Sequence, residues 1–168
     1  MKHGYTRTVE RDRIKMATRT RQVYAFEFGA NPGHLRAARA FVSSLAADAG
    51  CDRDHVLDLK IAVSEACTNA IRAHDAIAAD GTIRLTVALD AGRLLVEIED
   101  AGGGFEVTPQ QAARPADPDI SRFARGGLGL GVIRTLFPHA QIERNERGGT
   151  TVTLAVTIGG SLANTGGA

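Results

Sequence analysis

Ala62-Val63-Ser64-Glu65-Ala66-Cys67-Thr68-Asn69-Ala70 lies inside a stretch of helical periodicity. Glu65 and Asn69 are four residues apart, so on a helix both project from one face, one turn from each other. A carboxylate can take up a proton or hold a water, and an amide oxygen can ligate Mg²⁺, a hard cation that prefers oxygen. Taken alone, the pair reads better as exposed polar surface on an amphipathic helix, where such pairs abound. Working outward, Asp52 or Asp54 caps this helix, which runs to about residue 79 with Val56, Leu59, Val63, Ala66 and Ala70 as its core stripe. Before it come an apolar strand over residues 23–28 and a helix over residues 32–49, opened by Asn31-Pro32 and closed at Gly50. After it, residues 82–89 and 93–99 alternate around Ala91-Gly92 and form a hairpin. Residues 101–125 lose all period and suit a mobile lid over a ligand. Helical spacing returns over 128–137 and stops at Pro138, and residues 141–144 and 150–158 make a last hairpin. This order predicts an α+β fold, a two-layer sandwich with an antiparallel-rich mixed sheet and three helices on one face.

Three further segments carry features that folding alone does not require. Ile98-Glu99-Asp100-Ala101-Gly102-Gly103-Gly104-Phe105 ends a strand with a carboxylate that could meet a ligand's amino group, and its glycines allow close backbone approach. The bland reading is an Asp-Gly turn. Arg125-Gly126-Gly127-Leu128-Gly129-Leu130-Gly131-Val132-Ile133 runs glycines into an apolar helix, leaving amides free at a helix start, where anions bind. It has neither the Gly-Lys-Ser/Thr ending of a P-loop nor the preceding strand of a dinucleotide fingerprint. Gly148-Gly149-Thr150-Thr151 opens the last strand and by itself is a hairpin turn.

Taken together, the order and spacing of these four segments resemble the Bergerat (GHKL) ATPase and kinase superfamily. Glu65-x-x-x-Asn69 looks like its N box and Asp100-x-Gly102-x-Gly104 like its first glycine box. Gly127-Leu128-Gly129 with Gly131 looks like the second, and Gly149-Thr150-Thr151 like the closing glycine–threonine element. The resemblance covers residues 22–158, which are expected to form one ATP-binding domain between a basic arm (1–21) and a tail (159–168). The chain has no room for the transducer domains of gyrase-like or chaperone-like members, nor a phosphoacceptor His in a long helical hairpin. It is most similar to the anti-sigma-factor serine/threonine kinases.

That resemblance implies a role for each matching residue. Asp100 would accept a hydrogen bond from the adenine amine, with Thr151 supporting it through a water. Asn69 would ligate Mg²⁺, while Gly127, Leu128 and Gly129 would offer amides to the phosphates. Arg125 would neutralise charge near the γ-phosphate, and Glu65 would act as general base on the acceptor hydroxyl. The implied cofactors are ATP and Mg²⁺. The implied partners are a sigma factor and an anti-anti-sigma (STAS-type) protein, with homodimerisation left open. Two alternatives are a sequestering module without catalysis and an orphan histidine-kinase-type catalytic domain. Similar N boxes place a His four residues after Asn, whereas His74 lies five after Asn69. That step turns it about 100° around a helix, so no role follows for it.

Composition bounds the rest. With 168 residues the chain has room for one full core. No apolar run reaches the roughly 20 residues that span a bilayer. Cys51 and Cys67 have no metal-type spacing and read as reduced thiols, which points to the cytoplasm. Residues 1–21 hold seven basic side chains against two acidic ones. No nucleic-acid module is evident, and this arm is expected to be solvated.

Overall fold

The computed structural model describes residues 21–76, 81–90, 92–103 and 128–158. The expectations for residues 1–20, for the lid over 106–125 and for the tail from 159 lie outside the described residues. Among the described residues, the strands and α-helices follow in the order β1 (Gln22–Gly29), α1 (Leu35–Asp48), α2 (Arg53–Ala76), β2 (Thr82–Asp90), β3 (Arg93–Glu99), α3 (Leu128–Leu136), β4 (Gln141–Arg144) and β5 (Thr150–Thr157).

Local chemistry sets the helix starts. The Asn31 side chain accepts the Gly33 amide at 2.8 Å, and Pro32–His34 form a 3-10 turn before α1 begins. The helix expected from residue 32 therefore opens with a tighter turn. At α2 the cap is Asp52, whose Oδ1 accepts the His55 amide at 2.8 Å, while Asp54 falls in the first turn. A carboxylate there satisfies an orphan donor and faces the positive end of the helix dipole.

The sheet order is β1-β2-β3-β5-β4. The sheet expected to be antiparallel-rich is antiparallel at every described pairing. Alternation sends Ile83, Leu85 and Val87 of β2, Leu94, Val96 and Ile98 of β3, and Val152, Leu154 and Val156 of β5 to one face. Phe26 and Phe28 of β1 extend that face, and the Phe26 ring lies 5.4 Å from that of Phe41 in α1. From α1, Ala38, Val42 and Ala46 pack onto it, and from α2 Leu59, Val63, Ala66, Cys67 and Ala70 do so. Each fully buried Leu, Ile or Val contributes about 1.5–3 kcal/mol. Packing of α3 against α2 completes the layer. The described fold is thus a two-layer α+β sandwich with its helices on one side of the sheet. The buried rows of β3 and β5 run to Asp100 and Thr150 at one end of the sheet, and there the site lies.

Candidate functional site

Helix α2 carries one wall of the site. Glu65 and Asn69, half-buried, converge on Gly129 near the start of α3. A Cβ at Gly129 would stand 2.8 Å from Glu65 Oε2 and 2.8 Å from Asn69 Nδ2, closer than van der Waals contact allows. Glycine there lets the helix start, with its free amides, close directly onto the two side chains. One turn further along α2, Ala73 meets Gly102, where a Cβ would lie 2.8 Å from Ala73 Cβ. The N-box pair, the first glycine box and the second are thereby gathered along a single helix.

Asp100 forms the floor. It is 5% exposed, and its Oδ1 accepts the Gly102 amide at 2.8 Å. Burial pushes its pKa above the usual carboxylate value, against the opposing pull of amide hydrogen bonds from Gly102 and Thr150 and of the nearby His74. A buried carboxylate held by backbone amides keeps lone pairs for a further donor such as an exocyclic amine.

The closing hairpin holds that floor in place. Asp100 donates its amide to the Thr150 carbonyl at 3.0 Å. Gly149 sits against the Asp100 backbone, where a Cβ would lie 2.6 Å from the Asp100 carbonyl carbon. One residue that sequence reasoning missed organises this corner. Asn145 Nδ2 donates to the Asp100 carbonyl at 2.8 Å, and its Oδ1 accepts the amides of Arg147 and Gly149 at 3.1 and 3.0 Å. An Asn placed just before a Gly-Gly turn was the available signal, since its side chain readily bonds backbone groups a few residues on.

The threonine expected to support Asp100 requires a correction. Glu99 pairs with Thr151, so Asp100 faces Thr150 across the ladder. Thr150 is buried on the helix side with Val152, Leu154 and Val156. Thr151 points to the opposite face of the sheet and reaches Asp100 only through Asn145, whose Nδ2 lies 3.5 Å from its Oγ1. Strand alternation makes Thr150 the side chain next to the carboxylate.

Among the other expected residues, Leu128 is the first residue of α3 and Gly131 lies within it. Gly104, Arg125 and Gly127 lie outside the described residues. His74, to which the sequence assigned nothing, ends the buried stripe of α2 at 2% exposure. Its ring packs against Gly81, and neither ring nitrogen has a hydrogen-bond partner among the described residues. Both cysteines are free thiols, and burial pushes Cys67 up to about 12. Among the described residues no three His, Cys, Asp or Glu side chains group as a metal site, and no helix is long and apolar enough to cross a membrane. A groove of about 690 Å³ between Cys51, His55, Phe137, His139 and Thr157 lies at the opposite end of the sheet and shares no residue with the site.

Comparison with known proteins identifies the family. Residues 28–156 match the histidine kinase-like ATPase domain. The serine-protein kinase RsbW of Bacillus velezensis is 31% identical over 140 residues, covering 82% of this chain and 86% of that protein. The protein of the same name from Bacillus licheniformis is 34% identical over 129 residues, 74% of this chain and 79% of its own. That of Listeria monocytogenes is 33% identical over 120 residues, 70% and 76% respectively. With the family match spanning most of the fold and these relatives above 30% identity over most of both chains, the chain belongs to the histidine kinase-like ATPase domain family, in the group that contains the RsbW serine-protein kinases.

Proposed function

We propose that this protein is an ATP-dependent serine/threonine-protein kinase that holds a sigma factor and phosphorylates a Ser or Thr of an anti-anti-sigma protein of the STAS type. The observation that carries the reading is the convergence of Glu65 and Asn69 on Gly129, with Asp100 buried at the end of β3 beside Gly102, which meets Ala73 one turn further along the same helix. Relatives bearing the name serine-protein kinase support it. Such a protein works beside RNA polymerase, which assigns it to the cytoplasm.

Each residue then has a task. Asp100 accepts the adenine amine, and Thr150, in place of Thr151, steadies that carboxylate from the neighbouring strand. The amides at the start of α3, from Leu128 and Gly129, face the phosphates. Gly127 offers the phosphates a further amide and Arg125 neutralises charge near the γ-phosphate, while Gly102 and Gly131 leave room for close approach. Glu65 takes the proton from the acceptor hydroxyl as its oxygen attacks the γ-phosphorus and ADP departs. Mg²⁺ keeps most of its ligands as phosphate oxygens and water, so it needs few protein oxygens. The Asn69 side chain, beside a carboxylate and facing a helix start, fits that demand. When bound, the ion supplies charge neutralisation on the phosphates. Positioning and neutralisation of this kind are the main requirements of phosphoryl transfer.

The test is single-turnover transfer beside direct ATP titration. Glu65→Gln keeps size and polarity but removes the base, so ATP affinity should hold while transfer falls by roughly 10²–10⁴-fold. Transfer at the wild-type rate in that variant would make Glu65 structural. A product stable to acid identifies phosphoserine, whereas an acid-labile product identifies a phosphohistidine pathway.

A further inference from the structure

Helix α2 spans 24 residues, and one row of side chains four apart runs along it: Ala73, Asn69, Glu65, Ile61, Leu57. Residues at this spacing form a continuous ridge on a helix. The ridge is ordered by chemistry. Ala73 touches the glycine beside Asp100, and Asn69 and Glu65 touch the start of α3. Beyond Glu65, in the direction away from Asp100, the ridge turns apolar and emerges from the protein. Ile61 and Leu57 are each 45% exposed, and they are the large apolar side chains that stand exposed among the described residues. Asp54, Asp58, Lys60 and Ser64 border them, giving an apolar centre with a polar rim, the usual anatomy of a recognition patch.

Single exposed apolar residues on a protein surface are ordinary. The placement of these two is what gives them meaning, and the argument rests on the kinase reading above. With the base recognised at Asp100 and the phosphates at Asn69 and Glu65, the acceptor hydroxyl must enter from the side of Glu65 that faces Ile61. The rise of a helix puts Ile61 about 6 Å and Leu57 about 12 Å from Glu65 along the axis. A specific protein partner covers about 800 Å² on each side, a disc of roughly 16 Å radius. A folded protein whose contact is centred on the serine it brings to Glu65 covers both side chains. We infer that the Leu57–Ile61 ridge is the docking surface for the protein acceptor, which presents an apolar patch about one to two helical turns from its phosphorylated serine.

The experiment uses the full chain, [γ-³²P]ATP and the STAS-domain protein of the same organism that the wild type phosphorylates. Gln is a good helix former, so Leu57→Gln with Ile61→Gln removes the apolar ridge and keeps α2. The KM for the acceptor should rise about tenfold or more, the scale of losing a central interface contact. The kcat at saturating acceptor and the ATP affinity should stay within about twofold. Leu57→Met with Ile61→Val should restore the wild-type KM. If the double variant also loses ATP affinity, Leu57→Gln alone, two turns from Glu65, carries the same comparison. An unchanged KM with transfer intact overturns the assignment. An unchanged KM with a dimer lost in sedimentation also overturns it, and makes the ridge a contact between copies of this chain. A wild type that phosphorylates no STAS-domain protein overturns the kinase reading and the ridge assignment together, which sets that result apart from the other two.

Discussion

Asp100 is a residue whose function opposes its stability. Its folded pKa lies above the ordinary carboxylate value because burial disfavours the charge. The folded state therefore holds its proton to higher pH than the unfolded chain does. Stability of the unliganded protein declines as pH rises from the ordinary range near 3.9 through that raised value, then stays at the lower level. Asp100→Asn keeps an oxygen for the Gly102 amide and removes the buried charge. At pH 7 this variant, free of nucleotide, should melt at a higher temperature than wild type. It should also bind ATP about tenfold or more weakly, since a charged hydrogen bond is worth roughly 1.5–3 kcal/mol. The wild-type advantage in affinity should shrink on acidification as Asp100 takes its proton. Melting curves and calorimetry on both proteins read all three effects. Spacing singled out Glu65, Asn69 and Asp100, but only the order of all four motifs, through the resemblance to the Bergerat family, gave them roles. The choice between Thr150 and Thr151 was legible too, because Thr150 shares parity with Val152, Leu154 and Val156. Asn145 was not, because its partner Asp100 is 45 residues away and only strand register brings the two together.

At the scale of elements, two glycines make opposite demands. At Gly129 the neighbours of a new Cβ are the ends of the Glu65 and Asn69 side chains, which can swing aside. Gly129→Ala should leave stability within about 1 kcal/mol of wild type, because alanine also favours the helix. It should lower phosphoryl transfer about tenfold or more, because the displaced groups are the proposed base and the proposed metal ligand. At Gly149 the neighbour is the Asp100 backbone, which cannot swing. Gly149→Ala should destabilise the fold by about 1–3 kcal/mol, as overpacking does, and carry nucleotide binding down with it. Urea denaturation beside ATP titration distinguishes the two patterns. The elements themselves followed from periodicity almost residue for residue, including β3 and β4. The start of α1 did not, because the Asn31 cap and Pro32 allow either a 3-10 or an α turn.

For the molecule as a whole, the described sheet, the core and the site all fall between residues 21 and 158, and the family match lies within those limits. A fragment of residues 21–158 should bind ATP within about twofold of the full chain and melt within a few degrees of it. A loss of binding in the fragment would give the basic arm or the tail a direct part in the site. Layering and the antiparallel character of the sheet were legible, since hairpins and one-sided apolar faces force them. The strand order was not. Nothing local in the sequence says that β5 pairs with β3 and leaves β4 at the edge. That choice is made by burial of Val152, Leu154 and Val156 beside β3, and it is what sets Thr150 next to Asp100.

A single unbroken helix serves as the ruler of the site. Substitutions along α2 alter one mark on it, but an insertion or deletion between Glu65 and Ala73 would rotate everything beyond it by about 100° and shift it by about 1.5 Å. The proposed phosphate and base contacts would then no longer face the same nucleotide. In descendants of this chain, length within that interval should be held fixed even where sequence drifts, and changes of length should gather in the connections on either side.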